Sequence, residues 1–150
     1  MVAKECGRMS RMADYTLFTD GGSRGNPGSA AIGVYAIDAT GTVILEHAET
    51  IGNSTNNIAE YCAVATGLEL LKQKVGKGIK DKTVELKLDS ELVKKQLNGE
   101  YQIKDAGLVP YFVEIHNLRV SSFPNLKLTH VPRAQNKEAD RLVNEALDAA

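Results

Sequence analysis

The sequence predicts a mixed α/β (α+β) fold, a sheet with helices against it, on three observations. Three short apolar, β-branched runs follow one another at residues 15–19, 30–37 and 42–50, joined by short links, as in an antiparallel meander. Helical and strand patterns then alternate to the C-terminus, giving the order β, β, β, α, β, α, α, β, α. Two of the strands end in an aspartate, Asp20 and Asp89, and ligands of such sheets sit beyond the carboxyl ends of parallel strands.

The first strand stops at Asp20 and runs into GGSRGNPG, a turn with four glycines and a proline. A strand that delivers a carboxylate at its tip, followed by nearly bare backbone, suits a metal held near a phosphate. Gly41 is the hinge between the second and third strands, and residues 51–57 are polar and turn-like. Residues 55–75 carry the longest helical pattern. Ile58, Cys62, Ala65 and Leu68 line one side of it, and Val64, Gly67 and Leu71 another. A helix apolar on two sides is central, covered by more than one neighbour. Glu60 falls in register with Val64, Gly67 and Leu71, where an unpaired carboxylate is costly and calls for a cation.

Residues 76–82, GKGIKDK, form a basic loop, and residues 83–88 alternate Val84, Leu86 and Leu88 before Asp89. Ser90 caps a short helix over 90–97, which Asn98 and Gly99 stop. A further helix covers 108–120, a last strand 126–130, a loop 131–135 and a closing helix 136–147. On that closing helix Asp140, Val143 and Leu147 share a face.

The length suits one domain over residues 15–150, preceded by a loose leader at 1–14 that lacks the apolar core of a signal peptide. Met9 and Met12 are alternative starts. The apolar fraction is 43% and the charged fraction 25%, ordinary for a globular chain. A net charge of -1 excludes a general nucleic-acid coat but leaves room for a local basic patch. No apolar run approaches the ~20 residues of a membrane span. Cys6 and Cys62 make no disulfide framework, which points to a reducing, cytoplasmic setting; a bridge between them is the alternative.

Four carboxylates stand out: Asp20 and Asp89 at strand tips, and Glu60 and Asp140 on apolar-facing helix positions. Gathered in one place they would repel unless a divalent cation sat among them. Hard cations such as Mg²⁺ take oxygen ligands, and no His/Cys cluster at zinc spacing competes. Each acid alone has a plainer reading. A lone Asp after a strand is most often a turn former or helix cap, a first-turn Glu answers the helix dipole, and Asp140 alone would be a surface residue. It is the set together with the glycine turn that points to a bound metal.

DGGSRGNPG, TNNIAEYCA, LDSELV and NKEADRL resemble, in order and spacing, the four signature blocks of the type 1 ribonuclease H family. The resemblance runs from about Tyr15 to the C-terminus. It implies a ribonuclease H-like fold, a five-stranded mixed sheet of three antiparallel and then parallel strands, with helices on its faces. It implies endonucleolytic cleavage of the RNA strand in RNA–DNA hybrids with two Mg²⁺ ions, Mn²⁺ being a possible substitute. It also implies 5′-phosphate and 3′-hydroxyl ends, with Asp20, Glu60, Asp89 and Asp140 as catalytic, metal-binding acids.

By the same resemblance Asn26, Asn56 and Asn57 match positions that contact hybrid bases and sugars, and Thr55 one in a pocket for a DNA-strand phosphate. Gly21, with Gly22, Gly25 and Gly28, lets backbone approach the nucleic acid, and Ser23 is counted with this group. The plainer reading of the asparagines is that they close turns. By the same resemblance His130, ten residues before Asp140, is a catalytic candidate at the spacing of the family's mobile histidine, which helps proton transfer or product release; the plainer reading is a packed strand-end histidine. The loop around it, HVPRAQN, departs from the family's glycine-flanked pair of histidines. Arg133 is the competing candidate, able to bind phosphate but not to act as a base at neutral pH.

Other departures concern affinity. Glu91 stands where the family often has Gln, and Asn53 where it often has Arg. The segment 99–110 holds one lysine, Lys104, in place of the basic handle of some members, and the chain has no Trp. Weak, salt-sensitive hybrid binding is therefore expected, with Lys94, Lys95 and the 74–82 loop in partial compensation. A monomer with no obligatory protein partner and no membrane association is expected. The rival readings are a sugar-kinase or actin-like ATPase, which needs a far longer chain; a non-catalytic hybrid-binding module, which has no need of four repelling acids; and a resolvase or exonuclease, whose acid spacings differ.

Overall fold

Residues 13–150 are described by the structure, a computed structural model. Strands β1 (Tyr15–Gly25), β2 (Gly28–Asp38) and β3 (Val43–Ser54) precede helix α1 (Asn56–Val75). Strand β4 (Val84–Leu88), helices α2 (Glu91–Leu97) and α3 (Val109–Ser121), strand β5 (Leu126–His130) and helix α4 (Lys137–Ala149) follow. The five strands form one sheet in the order β3-β2-β1-β4-β5. The first three pair antiparallel; β1 with β4, and β4 with β5, pair parallel. This is the expected five-stranded mixed sheet with helices on its faces.

Several boundaries differ from expectation. The first strand does not end at Asp20: β1 continues to Gly25, and Asp20 pairs with Gly33 inside the ladder. The glycine stretch is therefore mostly strand, and the turn is confined to Asn26 and Pro27. What ends near Asp20 is the parallel pairing, whose last β1–β4 partners are Phe18 and Lys87. The third strand also runs on, to Ser54, through residues read as turn. A bulge allows it: Ala30 pairs with Gly52 and Ala31 with Thr50, so Ile51 is the extra residue and Gly52 takes a φ of 82°. The basic loop after α1 contains a 3₁₀ turn, Lys77–Asp81.

Alternation along β2 feeds two layers. Val34 and Ala36 join the main core with Leu17, Leu86, Val64, Leu68 and Leu71, and α2 and α3 add Val93 and Ile115. Ala31 faces the other layer with Val143 and Leu147 of α4. Each fully buried Leu or Ile in these layers contributes about 1.5–3 kcal/mol. Gly33 sets the depth of α4, because a Cβ there would collide with the Ala139 carbonyl.

Asp14, read as leader, is fastened to the sheet. Its amide donates to Thr83 Oγ1 at 3.0 Å, and Thr83 returns a backbone bond to Asp14 Oδ2 at 2.9 Å. Cys6 and the rest of the leader, with the Met9 and Met12 starts, lie outside the described residues. Among those residues Cys62 is a free thiol. No described helix is long and apolar enough to cross a membrane.

Candidate metal centre

The site lies where β1 and β4 part. Beyond Phe18 the first strand keeps only its antiparallel partner, so Asp20 stands at the fork with Asp89, the residue after β4. Ser90 starts α2 directly behind Asp89, its hydroxyl accepting from the Val93 amide at 3.2 Å.

Glu60 enters from α1. Thr55 caps that helix, its Oγ1 accepting from the Ile58 amide at 3.2 Å, which starts the turn that presents Glu60. The Gly21 amide donates to Glu60 Oε1 at 2.6 Å. A side chain at residue 21 would strike the Ala59 carbonyl, so glycine is required by the approach of α1 to the strand.

Asp20, Glu60 and Asp89 each offer a carboxylate oxygen within 4.8 Å of the other two. Asp20 and Glu60 are buried and Asp89 half-buried. Asp140 stands outside this trio but lines the same cleft of about 440 Å³, with Arg24, Asn56, Asn57 and Arg133. Burial lifts the Asp20 carboxyl from its ordinary 3.8 to about 7, with the charges of Asp89 and Asp140 adding to the rise. Glu60 next to it and the Arg133 guanidinium pull the other way. Burial raises Glu60 as well, with Asp20 beside it adding to the rise. Three hard oxygen donors whose charges oppose one another, with no His or Cys in the group, fit a divalent cation.

The remaining predicted residues divide. The β1–β2 turn is bolted to α1: the Asn56 amide donates to Asn26 Oδ1 at 3.0 Å, and Asn56 Oδ1 accepts from the Ser23 amide at 2.9 Å. Ser23 Oγ also donates to the Gly25 carbonyl. Both asparagine oxygens are thus engaged, and their Nδ2 groups have no protein acceptor among the described residues. Asn26 and Thr55 do not line the cleft. His130 is exposed at the end of β5 and does not line it either, so it is not a packed strand-end histidine. Lys95, expected to help hold nucleic acid, lies over the Tyr101 ring at 4.9 Å and near Glu91 at 3.6 Å.

Two further residues of the site, one lining the cleft and one buried behind it, carry no signal strong enough to single them out in the sequence. Arg24 lines the cleft and pairs with Asp148 of α4 at 2.6 Å. Asn136, fully buried, donates from Nδ2 to the Thr19 carbonyl at 2.9 Å. Its position four residues before Asp140 was the available signal, but a loop Asn before a helix reads as a cap.

Residues 18–146 match the family described as reverse transcriptase-like. The chain is 44% identical over 133 residues to ribonuclease HI of Halobacterium salinarum, covering 89% of this chain and 64% of that protein. It is 41% identical to the bifunctional protein Rv2228c of Mycobacterium tuberculosis, of which it spans 35%. The structure of LC11-RNase H1, isolated from compost by a metagenomic approach, superposes with a TM-score of 0.86 at 43% identity, covering 92% of this chain and 98% of that one. A second structure of LC11-RNase H1, in complex with an RNA/DNA hybrid, also gives 0.86 at 42% identity, covering 90% and 97%. The chain thus spans under two thirds of the length of these two curated relatives.

Proposed function

The chain belongs to the type 1 ribonuclease H family, and on that premise we propose that it is an endonuclease cleaving the RNA strand of RNA–DNA hybrids. The observation that carries this reading is the trio of Asp20, Glu60 and Asp89 oxygens within 4.8 Å, at the base of a cleft lined by hydrogen-bond donors. The relative LC11-RNase H1, known in complex with an RNA/DNA hybrid, supports the same substrate class.

Asp20, Glu60 and Asp89, with Asp140 at the rim, would hold two divalent ions, Mg²⁺ first and Mn²⁺ as a substitute. When bound, such a pair supplies a water activated for in-line attack and a counter-charge for the departing 3′ oxygen, leaving 5′-phosphate and 3′-hydroxyl ends. The chain's own part is to place the phosphate. The Glu60 carboxylate is held by the Gly21 amide, so it enters the cleft in one orientation. The Nδ2 groups of Asn26 and Asn56, whose oxygens are occupied inside the protein, are donors for sugar and base acceptors in the minor groove. Asn57 and Ser23 line the cleft with Asn56, and the Gly22 backbone leaves room beside them. Arg133 supplies a fixed positive charge for the phosphate. Thr55 acts through the α1 turn it caps. His130, exposed outside the cleft, is left the role of carrying protons from its mouth.

The protein acts as a monomer in the cytoplasm, without an obligatory protein partner or a membrane. The deciding experiment incubates labelled RNA–DNA hybrid, single-stranded RNA and RNA duplex with and without Mg²⁺. Cutting of the hybrid only with Mg²⁺, and its loss in Asp20→Asn with hybrid binding retained, is the expected result. Cutting of the hybrid in chelator, or of single-stranded RNA alone, ends the proposal.

A further inference from the structure

We infer that Asn136 is a positioning residue for the acid cage, its side-chain amide bridging the fork between β1 and β4 and holding Asp89 against the strand that carries Asp20. The inference rests on the metal-binding reading above. Asn136 precedes α4, where an asparagine ordinarily turns its oxygen onto the helix amides. Here the side chain makes no cap bond and is fully buried instead. Nδ2 donates to the Thr19 carbonyl at 2.9 Å and reaches Asp89 Oδ2 at 3.5 Å.

The need for that donor follows from the fold. Parallel pairing stops at Phe18 and Lys87, so Thr19 is the first residue of β1 without a β4 partner, and it is buried. The same parting of the strands opens the space in which Asp20 and Asp89 meet. Asn136 fills the gap with a neutral donor where a backbone ladder would have closed the cage.

The amide orientation is set by chemistry. Turned round, Oδ1 would face two acceptors, the Thr19 carbonyl and the Asp89 carboxylate. In the orientation present, Oδ1 is the one buried side-chain polar atom among the described residues that lacks a partner. The fold leaves that oxygen unpaired and keeps both Nδ2 contacts. On its backbone side Asn136 also accepts from the Asp140 amide at 3.1 Å, so one residue touches the strand of Asp20, the carboxylate of Asp89 and the helical turn of Asp140.

The test is calorimetric titration of Mg²⁺ and of Mn²⁺ into the full chain, as wild type, Asn136→Ala and Asn136→Ser. Serine caps a helix but is too short to reach both acceptors. Loss of an outer contact of this kind weakens metal affinity about 10–100-fold, and that drop is expected in both variants. The rate at saturating hybrid falls with it while the KM for hybrid holds. A residue that only stabilises the fold would lower the melting temperature and leave the metal affinity of the folded protein untouched. If Asn136→Ala fails to melt cooperatively, Asn136→Ser decides. Metal affinity equal to wild type in the folded variants overturns the inference while leaving the metal reading intact. A wild-type chain that binds neither ion overturns the metal reading itself, and this inference with it.

Discussion

The Gly21 amide and the Glu60 carboxylate are joined at 2.6 Å, so the strand bearing Asp20 and the helix bearing Glu60 are locked together one residue from the cage. The contact exists because α1 lies closer to β1 than any side chain at residue 21 would permit.

Gly21→Ala is accordingly expected to destabilise the protein by about 1–3 kcal/mol, the usual range for overpacking, and to push Glu60 away from Asp20. Gly22→Ala is the control, since its Cβ would lie 3.9 Å from Val143 Cγ1, an ordinary contact. Urea denaturation of the two variants checks this; equal midpoints would contradict it.

Without metal, the raised acids make stability depend on pH. Asp20 stands at about 7 in the folded chain against an ordinary 3.8, and Glu60 is raised in the same direction. A group with its pKa raised by folding contributes stability that is complete below the unfolded value and lost as pH rises through the folded one. In chelator the melting temperature should therefore fall between pH 4 and about pH 7.5. Added Mg²⁺ should restore it at the upper end, because a ligand of the folded state alone stabilises it. Asp20→Asn should melt above wild type at pH 8 in chelator. Melting that stays level across this range would show that the acids do not repel as described.

Arg133 lines the cleft and lowers the pKa of Asp20, whereas His130 is exposed beyond the lining. Arg133→Ala should raise the KM for hybrid at constant Mg²⁺ more than His130→Ala does. Steady-state kinetics of the pair decide the matter, and a larger KM effect at His130 would reverse the assignment.

Hybrid affinity should fall about tenfold or more between about 50 and 200 mM salt, since phosphate contacts release counterions. Lys95 is already engaged by Tyr101 and Glu91, so the segment near it offers little extra charge. Fluorescence anisotropy across that range in chelator is the measurement. Binding that scarcely changes would mean that contacts other than phosphates dominate.

The sequence by itself determined the sheet and its helices, and it singled out the four acids as candidates. The meander runs, the two-sided apolar pattern of α1 and the spacing of the blocks are local signals, written in periodicities of two and three to four residues. Asp20 at mid-strand, Gly21 as a packing glycine and Asn136 as a buried donor were decided only by the tertiary structure. Each depends on where a second element lies: on where β4 leaves β1, how near α1 comes, and which carbonyl that parting leaves without a ladder partner. Those are contacts between residues 39 and 117 positions apart, for Gly21 with Glu60 and for Thr19 with Asn136, and no local pattern encodes them.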